Sequence, residues 1–280
     1  MWNLATWWFG LPSSSSHALI GGVVGSMIAA HGTGAVQFDG LLGKVIVPAL
    51  VSPLLAFAVA GLAIVMTYRL VARLRPGPAG RGFRYGQIFS GAMLALAHGT
   101  NDAQKTMGVI TLALIANGDL SNAQFAVPDW VVVCAASAIA LGTYAGGWRI
   151  IRTMGSRIIK MDPAQGFTAQ SAGAAVVLAA SHVGFPLSTT HVMAGGIMGA
   201  GAGKRVSAVR WGVAGNIAIA WLLTLPAAAA VGAATYGVTS VFGDGLLGPA
   251  IVAVLAAGGL LTTMLKRARA LQTRPAGAEP

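Results

Sequence analysis

The sequence predicts an all-α integral membrane protein, built as an inverted repeat with discontinuous helices and two Ser/Thr-rich re-entrant hairpins. Three observations predict it: an apolar composition, a series of apolar segments of spanning length, and a motif that recurs with opposite orientation. Of 280 residues, 55% are hydrophobic and only 9% charged, whereas a soluble domain carries about 25% charged residues. The mean hydropathy is +0.72. Glycine, at 39 residues, is in excess, as close helix packing in lipid favours.

Apolar segments lie at 44–66, 86–116, 130–147, 168–183, 207–234 and 248–265, each near the ~20 residues that a span needs. Two further segments, 12–30 and 186–203, are Gly-rich and open with Pro and hydroxyl residues. Unpaired backbone survives at membrane depth only inside protein or along a cavity, so both are read as helical hairpins or broken helices. The net charge of +11 sits in four stretches, Arg69 to Arg84, Arg149 to Lys160, Lys204 to Arg210 and Lys266 to Arg274. Each adjoins an apolar segment, which is the positive-inside pattern of a plasma-membrane protein rather than a nucleic-acid surface. The 67–85 and 148–160 loops and the C-terminus are therefore predicted to be cytoplasmic, with the 117–129 loop and Asp244 outside. Met1 is followed by no basic region, so no cleavable signal peptide is expected. Cys134 is expected to be a small packing residue, and the tail 271–280 to be disordered.

Residues 10–25, Gly-Leu-Pro-Ser-Ser-Ser-Ser-His-Ala-Leu-Ile-Gly-Gly-Val-Val-Gly, recur at 184–199 as Gly-Phe-Pro-Leu-Ser-Thr-Thr-His-Val-Met-Ala-Gly-Gly-Ile-Met-Gly. Gly10, Pro12, Ser14, His17, Gly21, Gly22 and Gly25 are repeated at an offset of 174 residues, and Ser15 and Ser16 become Thr189 and Thr190. The first copy exits towards the outer 31–43 loop and the second at cytoplasmic Lys204 and Arg205. Repeats of opposite orientation with broken helices are the architecture of many secondary transporters. The chain then divides into the remainder of a first repeat, 1–85, and a second repeat, 86–270. The first holds the hairpin 12–30, the span 44–66 and the loop 67–85. The second holds a broken helix at 86–116, spans at 130–147, 168–183, 207–234 and 248–265, and the hairpin 186–203.

His98-Gly99-Thr100-Asn101-Asp102-Ala103-Gln104-Lys105 lies at the centre of segment 86–116. Charge at such depth is costly, so Asp102 and Lys105 are functional candidates. At i,i+3 on a helix they can pair, and His98 precedes Asp102 by one turn as a proton partner. The hydroxyls of Ser14, Ser15, Ser188, Thr189 and Thr190 suit a tetrahedral oxyanion, because they donate hydrogen bonds without adding charge. Helices starting after Pro12 and Pro186 would add free N–H groups and a positive dipole end. Helix capping is the structural alternative for these serines. His17 and His191 are candidate support or proton-relay residues, and His31 and His182 are expected to be structural. An intramembrane Ser–His–Asp hydrolase is disfavoured, because duplicated and opposed Ser–His elements do not form one nucleophile with one base. No enzyme activity is expected.

The stretch Gly99 to Thr106 and the paired Pro-Ser-Ser-Ser-Ser-His and Pro-Leu-Ser-Thr-Thr-His segments resemble the PiT family of inorganic phosphate transporters, its bacterial low-affinity branch in particular. The resemblance implies a transport site formed by Asn101, Asp102, Ser14, Ser15, Ser188, Thr189 and Thr190. Asp102, His98, Lys105, His17 and His191 are then candidates for the coupling ion or proton. It implies phosphate as substrate, free or as a metal–phosphate complex, with a proton favoured over sodium as coupling cation. No cofactor and no resident metal are implied. Sulfate is the alternative substrate, and a homo-oligomer is compatible with the sequence. Where the family carries an Asn-Asp-type motif in each half, the first-half copy is missing here. Gly99 precedes Pro186 by 87 residues, and the same spacing before Pro12 falls ahead of Met1. The expectation is a start placed too late, or a truncated and inactive carrier.

Overall fold

The computed structural model describes residues 1–73, 76–121, 125–185, 187–243 and 245–272, without the side chains of Pro76, Ala145 and 266–272. The expectations for Pro186, Asp244, the C-terminal cations and residues 273–280 lie outside the described residues. Those residues form α-helices and short 3-10 or π-helical turns: α1 Trp2–Phe9, α2 Ser15–His31, α3 Phe38–Leu41, α4 Val47–Val71, α5 Pro76–Asn117, α6 Asp129–Ala145, α7 Trp148–Arg152, α8 Pro163–His182, α9 Thr189–Lys204, α10 Trp211–Ser240 and α11 Leu247–Gln272. There is no strand among them.

Among the described residues, three helices are long and apolar enough to cross a membrane: Phe38–Val71, Trp211–Ser240 and Leu247–Leu265. They contain or overlap the predicted segments 44–66, 207–234 and 248–265. Asp129–Tyr144 and Trp148–Arg157 would form a fourth span, bent by 64°. α4 shows the division of faces that lipid imposes, with Ala56, Ala60 and Ile64 fully buried while Leu54, Leu62 and Leu70 are exposed. Segment 168–183 belongs to α8, which is buried along most of its length at Ala169, Ala172, Val176, Val177 and Ala180. A helix enclosed by protein has no need of a lipid-facing surface. Cys134 is exposed on α6 and does not pack in the interior.

The two copies of the repeat fold alike, bond for bond. α1 ends at Gly10 with φ 69°, where Leu11 N–H donates to Thr6 O at 2.9 Å and Gly10 N–H to Trp7 O at 3.1 Å. α8 ends before Gly184 with φ 70°, where Phe185 N–H donates to Ala180 O at 2.8 Å and Gly184 N–H to Ser181 O at 3.2 Å. This pair of bonds satisfies the last carbonyls of a helix, and it needs the left-handed backbone that glycine adopts freely. Ser14 and Ser188, both with extended backbone, then cap α2 and α9. The predicted hairpin segments are therefore the returning arms of two helix–turn–helix units, α1–α2 and α8–α9. The turn lies at the N-terminal edge of each segment, because Ser14 and Ser188 start a helix there and do not interrupt one.

Each returning arm packs against a helix of the other half: α9 on α4, and α2 on α10. A Cβ at Gly195 or Gly199 would collide with the carbonyls of Pro53 or Phe57 on α4, and one at Gly25 with the carbonyl of Ala229 on α10. The Gly-Gly-x-x-Gly pattern of both copies is thus a groove into which a neighbouring backbone fits. α5 runs parallel to α8, with Ser90 donating to Gln170 at 2.8 Å and Asn101 to Ser181 at 2.8 Å, each pair three turns from the other. The break expected within 86–116 is not seen, since Pro76–Asn117 is one continuous helix. Neither Gly99 nor Gly108 takes a positive φ. His98, Asn101, Asp102 and Lys105 find partners on their own helix and on its neighbours, so the backbone need not open.

At one end of the bundle Asp162 caps α8 in a capping box with Gln165. Its carboxylate also accepts from Tyr68 at 2.7 Å and from Lys204 at 2.8 Å. Burial pushes the Asp162 carboxyl up, but Lys204, the Gln165 amide and Tyr68 outweigh it and hold the group below the usual carboxylate range. Three helices, α4, α8 and α9, are joined at this one carboxylate.

Candidate functional site

The middle of α5 faces the start of α2 and the turn before α9. Asp102 is the organiser. Its Oδ2 accepts from Ser15 Oγ at 3.2 Å and lies 3.2 Å from His98 Nε2, while Lys105 Nζ stands 3.5 Å from Oδ1. The i,i+3 and i,i+4 spacings place all three α5 side chains on one face. Lys105 reaches further, donating to Ser16 Oγ at 2.8 Å and to the main-chain carbonyl of Leu187 at 2.7 Å. Ser15, Ser16, Asp102 and Lys105 line a cavity of ≈ 630 Å³ that continues along α2 to Gly22 and to Ala228 on α10. Asn101 is buried, with Nδ2 held by Ser181, while its Oδ1 and Asp102 Oδ1 have no hydrogen-bond partner. Asp102 Oδ1 therefore has the Lys105 ammonium as its near neighbour, a charge contact without a hydrogen bond.

Ser14 and Ser188 are each 1% exposed and act as N-caps. Ser14 Oγ accepts from His17 N–H at 3.2 Å, and Ser188 Oγ from His191 N–H at 3.4 Å. Thr189 is buried and Thr190 half-buried in the first turn of α9. Only Ser15 of the predicted hydroxyl set reaches the cavity. His17 and His191, equivalent in the repeat, meet each other edge to face with ring centroids 4.8 Å apart. His191 stacks on Trp221 at 4.0 Å, and its Nδ1 lies 3.1 Å from Ala49 O, while Nε2 is buried without a partner. The two histidines thus sit where the two arms touch. Among the described residues no three His, Cys, Asp or Glu side chains cluster to hold a metal.

Sequence reasoning missed Ser16, Ser181, Trp221 and the Leu187 carbonyl. Trp221 donates to Pro12 O at 2.9 Å and fixes the turn of the first arm. A Trp within an apolar segment, one helical turn and a residue before Pro226, was the available signal. Ser181 and Leu187 carried none, because their partners lie 80 or more residues away.

Two helix–turn–helix arms converging on an ionisable helix centre among apolar helices form an arrangement shared with many membrane transporters. Comparison with known proteins narrows the class. The Phosphate transporter family pattern matches residues 1–81 and 75–232, and the chain belongs to that family. It is 51% identical over 243 residues to a probable low-affinity inorganic phosphate transporter of Mycobacterium leprae, covering 87% of this chain and 59% of that protein. It is 49% identical to a protein of the same description from Rhizobium meliloti, covering 84% of this chain and 70% of the relative. With the Bacillus subtilis protein so described the identity is 43%, with the same coverage of each. The chain spans 59% of the length of the first of these relatives. Among solved structures, the sodium-dependent phosphate transporter matches with a TM-score of 0.73 and 23% identity, over 86% of this chain and 76% of that one. At that identity the likeness concerns the fold. The family and these relatives are transporters, not enzymes.

Proposed function

We propose that the chain carries inorganic phosphate across the plasma membrane by cation-coupled symport, with the C-terminus cytoplasmic and a proton as the coupling cation. The observation that carries this reading is the Asp102 centre, where a carboxylate and an ammonium share one cavity with Ser15 and Ser16, and an imidazole lies against the same carboxylate, at the meeting of two repeated arms. Hydroxyls and an ammonium suit a phosphate oxygen, and a carboxylate beside an imidazole suits a proton. In this reading Asn101 and Asp102 hold the cation or proton, and Ser15 meets the anion. Ser14, Ser188, Thr189 and Thr190 orient the free N–H groups of α2 and α9 towards the anion. The His17–His191 contact, between residues equivalent in the repeat, is compatible with a two-fold relation of the two arms.

The test is uptake of radiolabelled phosphate into proteoliposomes under imposed pH or sodium gradients. An inward proton gradient should drive uptake, sulfate should compete weakly, and Asp102→Asn should abolish uptake with normal incorporation into the membrane. Near-normal uptake by Asp102→Asn, or uptake of sulfate in preference to phosphate, refutes the reading.

A further inference from the structure

Lys105 is placed differently from the partner of a simple ion pair. Were it only the counter-ion of Asp102, the carboxylate would be its nearest oxygen. Instead the two shortest contacts are to neutral oxygens, Leu187 O at 2.7 Å and Ser16 Oγ at 2.8 Å, and Asp102 Oδ1 is the farthest at 3.5 Å. An ammonium has three N–H donors and no acceptor, and three oxygens from three different elements surround this one. They are a hydroxyl from the start of α2, a main-chain carbonyl from the non-helical step before α9, and a carboxylate from α5. Hydroxyl, carbonyl and carboxylate oxygens are the ligands of hard cations. Carbonyls of unwound segments are where secondary transporters place a coupling ion. Ser16 and Leu187 are both buried, and the Lys105 side chain is 19% exposed.

We propose that the ammonium of Lys105 is a tethered cation, occupying between the two arms an oxygen-lined position that would otherwise take a free monovalent cation. The inference rests on the transport reading and deepens it by assigning why sodium is not required. One positive charge is supplied by the chain itself, and a sodium ion approaching the same three oxygens meets a like charge. The ammonium also joins Ser16 to Leu187, so the two arms are held together across the site before any solute arrives. Asp102 Oδ2 remains with Ser15 and His98, leaving proton exchange to the other side of the carboxylate.

The experiment uses the purified full-length protein in detergent, in sodium chloride or choline chloride of equal ionic strength, with two readouts. The first is the unfolding temperature without phosphate, and the second is equilibrium binding of radiolabelled phosphate. The wild type should respond equally to the two salts in both. Lys105→Ala should lose about tenfold or more in phosphate affinity in choline, and sodium or methylammonium should restore it with saturation. The same ions should raise its unfolding temperature. Lys105→Ser, which keeps a polar atom at the vacated position, serves where the alanine variant does not fold. Lys105→Met, whose uncharged stem fills the space, should respond to neither ion. Folded Lys105→Ala and Lys105→Ser that gain no sodium or methylammonium response overturn the proposal, as does a wild type that itself requires sodium. A wild type that binds no phosphate, beside a variant stabilised by sodium, would instead sink the phosphate reading and leave the cation position standing.

Discussion

Gly22 and Gly25 lie on the same helix, in the same motif, and should respond in opposite directions to the same substitution. A Cβ at Gly25 would run into the carbonyl and Cα of Ala229 on α10, so backbone rather than a movable side chain must yield. Overpacking of this kind costs about 1–3 kcal/mol or more. At Gly22 nothing stands within 4 Å of an added Cβ. There alanine removes only the conformational freedom of glycine in the unfolded helix, which favours the fold by about 0.5–1 kcal/mol. The two variants should therefore differ by roughly 2–4 kcal/mol. Reversible unfolding by a denaturing detergent, followed by circular dichroism in mixed micelles, measures both against the wild type. The second copy offers the same test, with Gly199→Ala obstructed by Phe57 and Gly196→Ala in ordinary contact with Ala169. Equal effects at Gly22 and Gly25 would refute the idea that a backbone-to-backbone groove explains the motif.

Ser188→Ala should lower stability by about 0.5–2 kcal/mol, and Ser188→Asn, also a good cap, should recover most of it. A failure of asparagine to recover stability would show that capping is not what the hydroxyl contributes. Ser181→Ala strands the buried Asn101 amide and should cost about 1–3 kcal/mol. Truncating Asn101 in that background should then cost less than in the wild type, whereas strictly additive losses would show that the two do not interact. Asp162 is held below the usual carboxylate range, so its stabilisation is present above the unfolded-state value of about 4 and is lost as the pH falls through it towards the lower folded value. The stability gap between wild type and Asp162→Asn should be widest above about pH 5 and should close in acid. A gap independent of pH would remove the charge from the explanation.

The repeat, the capping serines and the Asp102–Lys105–His98 face were legible, because each is a matter of spacing along one segment. The hairpin limits were not. Trp2–Phe9 and Pro163–His182 carry no motif, so the helices that lead into the turns were not joined to the Pro-Ser segments, and those segments alone took the part of whole hairpins. The centre of α5 read as a break because Gly99 and six polar residues stand together between His98 and Lys105. The helix persists because Ser15, Ser16, Ser181 and Leu187 serve those groups from elsewhere in the chain. A carbonyl that accepts a hydrogen bond from 82 residues away has no signature in the sequence. The positions of the groups were visible, but their pairing across the bundle was not.

The exchange of arms between halves also sets a timetable for assembly. Gly21 packs on Leu225 and Gly25 on Ala229, so the surface that receives α2 is synthesised about 200 residues after it. At ~5–20 residues per second, α2 waits on the order of 10–40 s for its seat. α9 finds α4 already made. The first arm therefore docks late, and until α10 arrives its glycine face and the Pro12 carbonyl, later bound by Trp221, have no partner in the chain. Quality control in the membrane would meet this protein with one arm folded and the other still open.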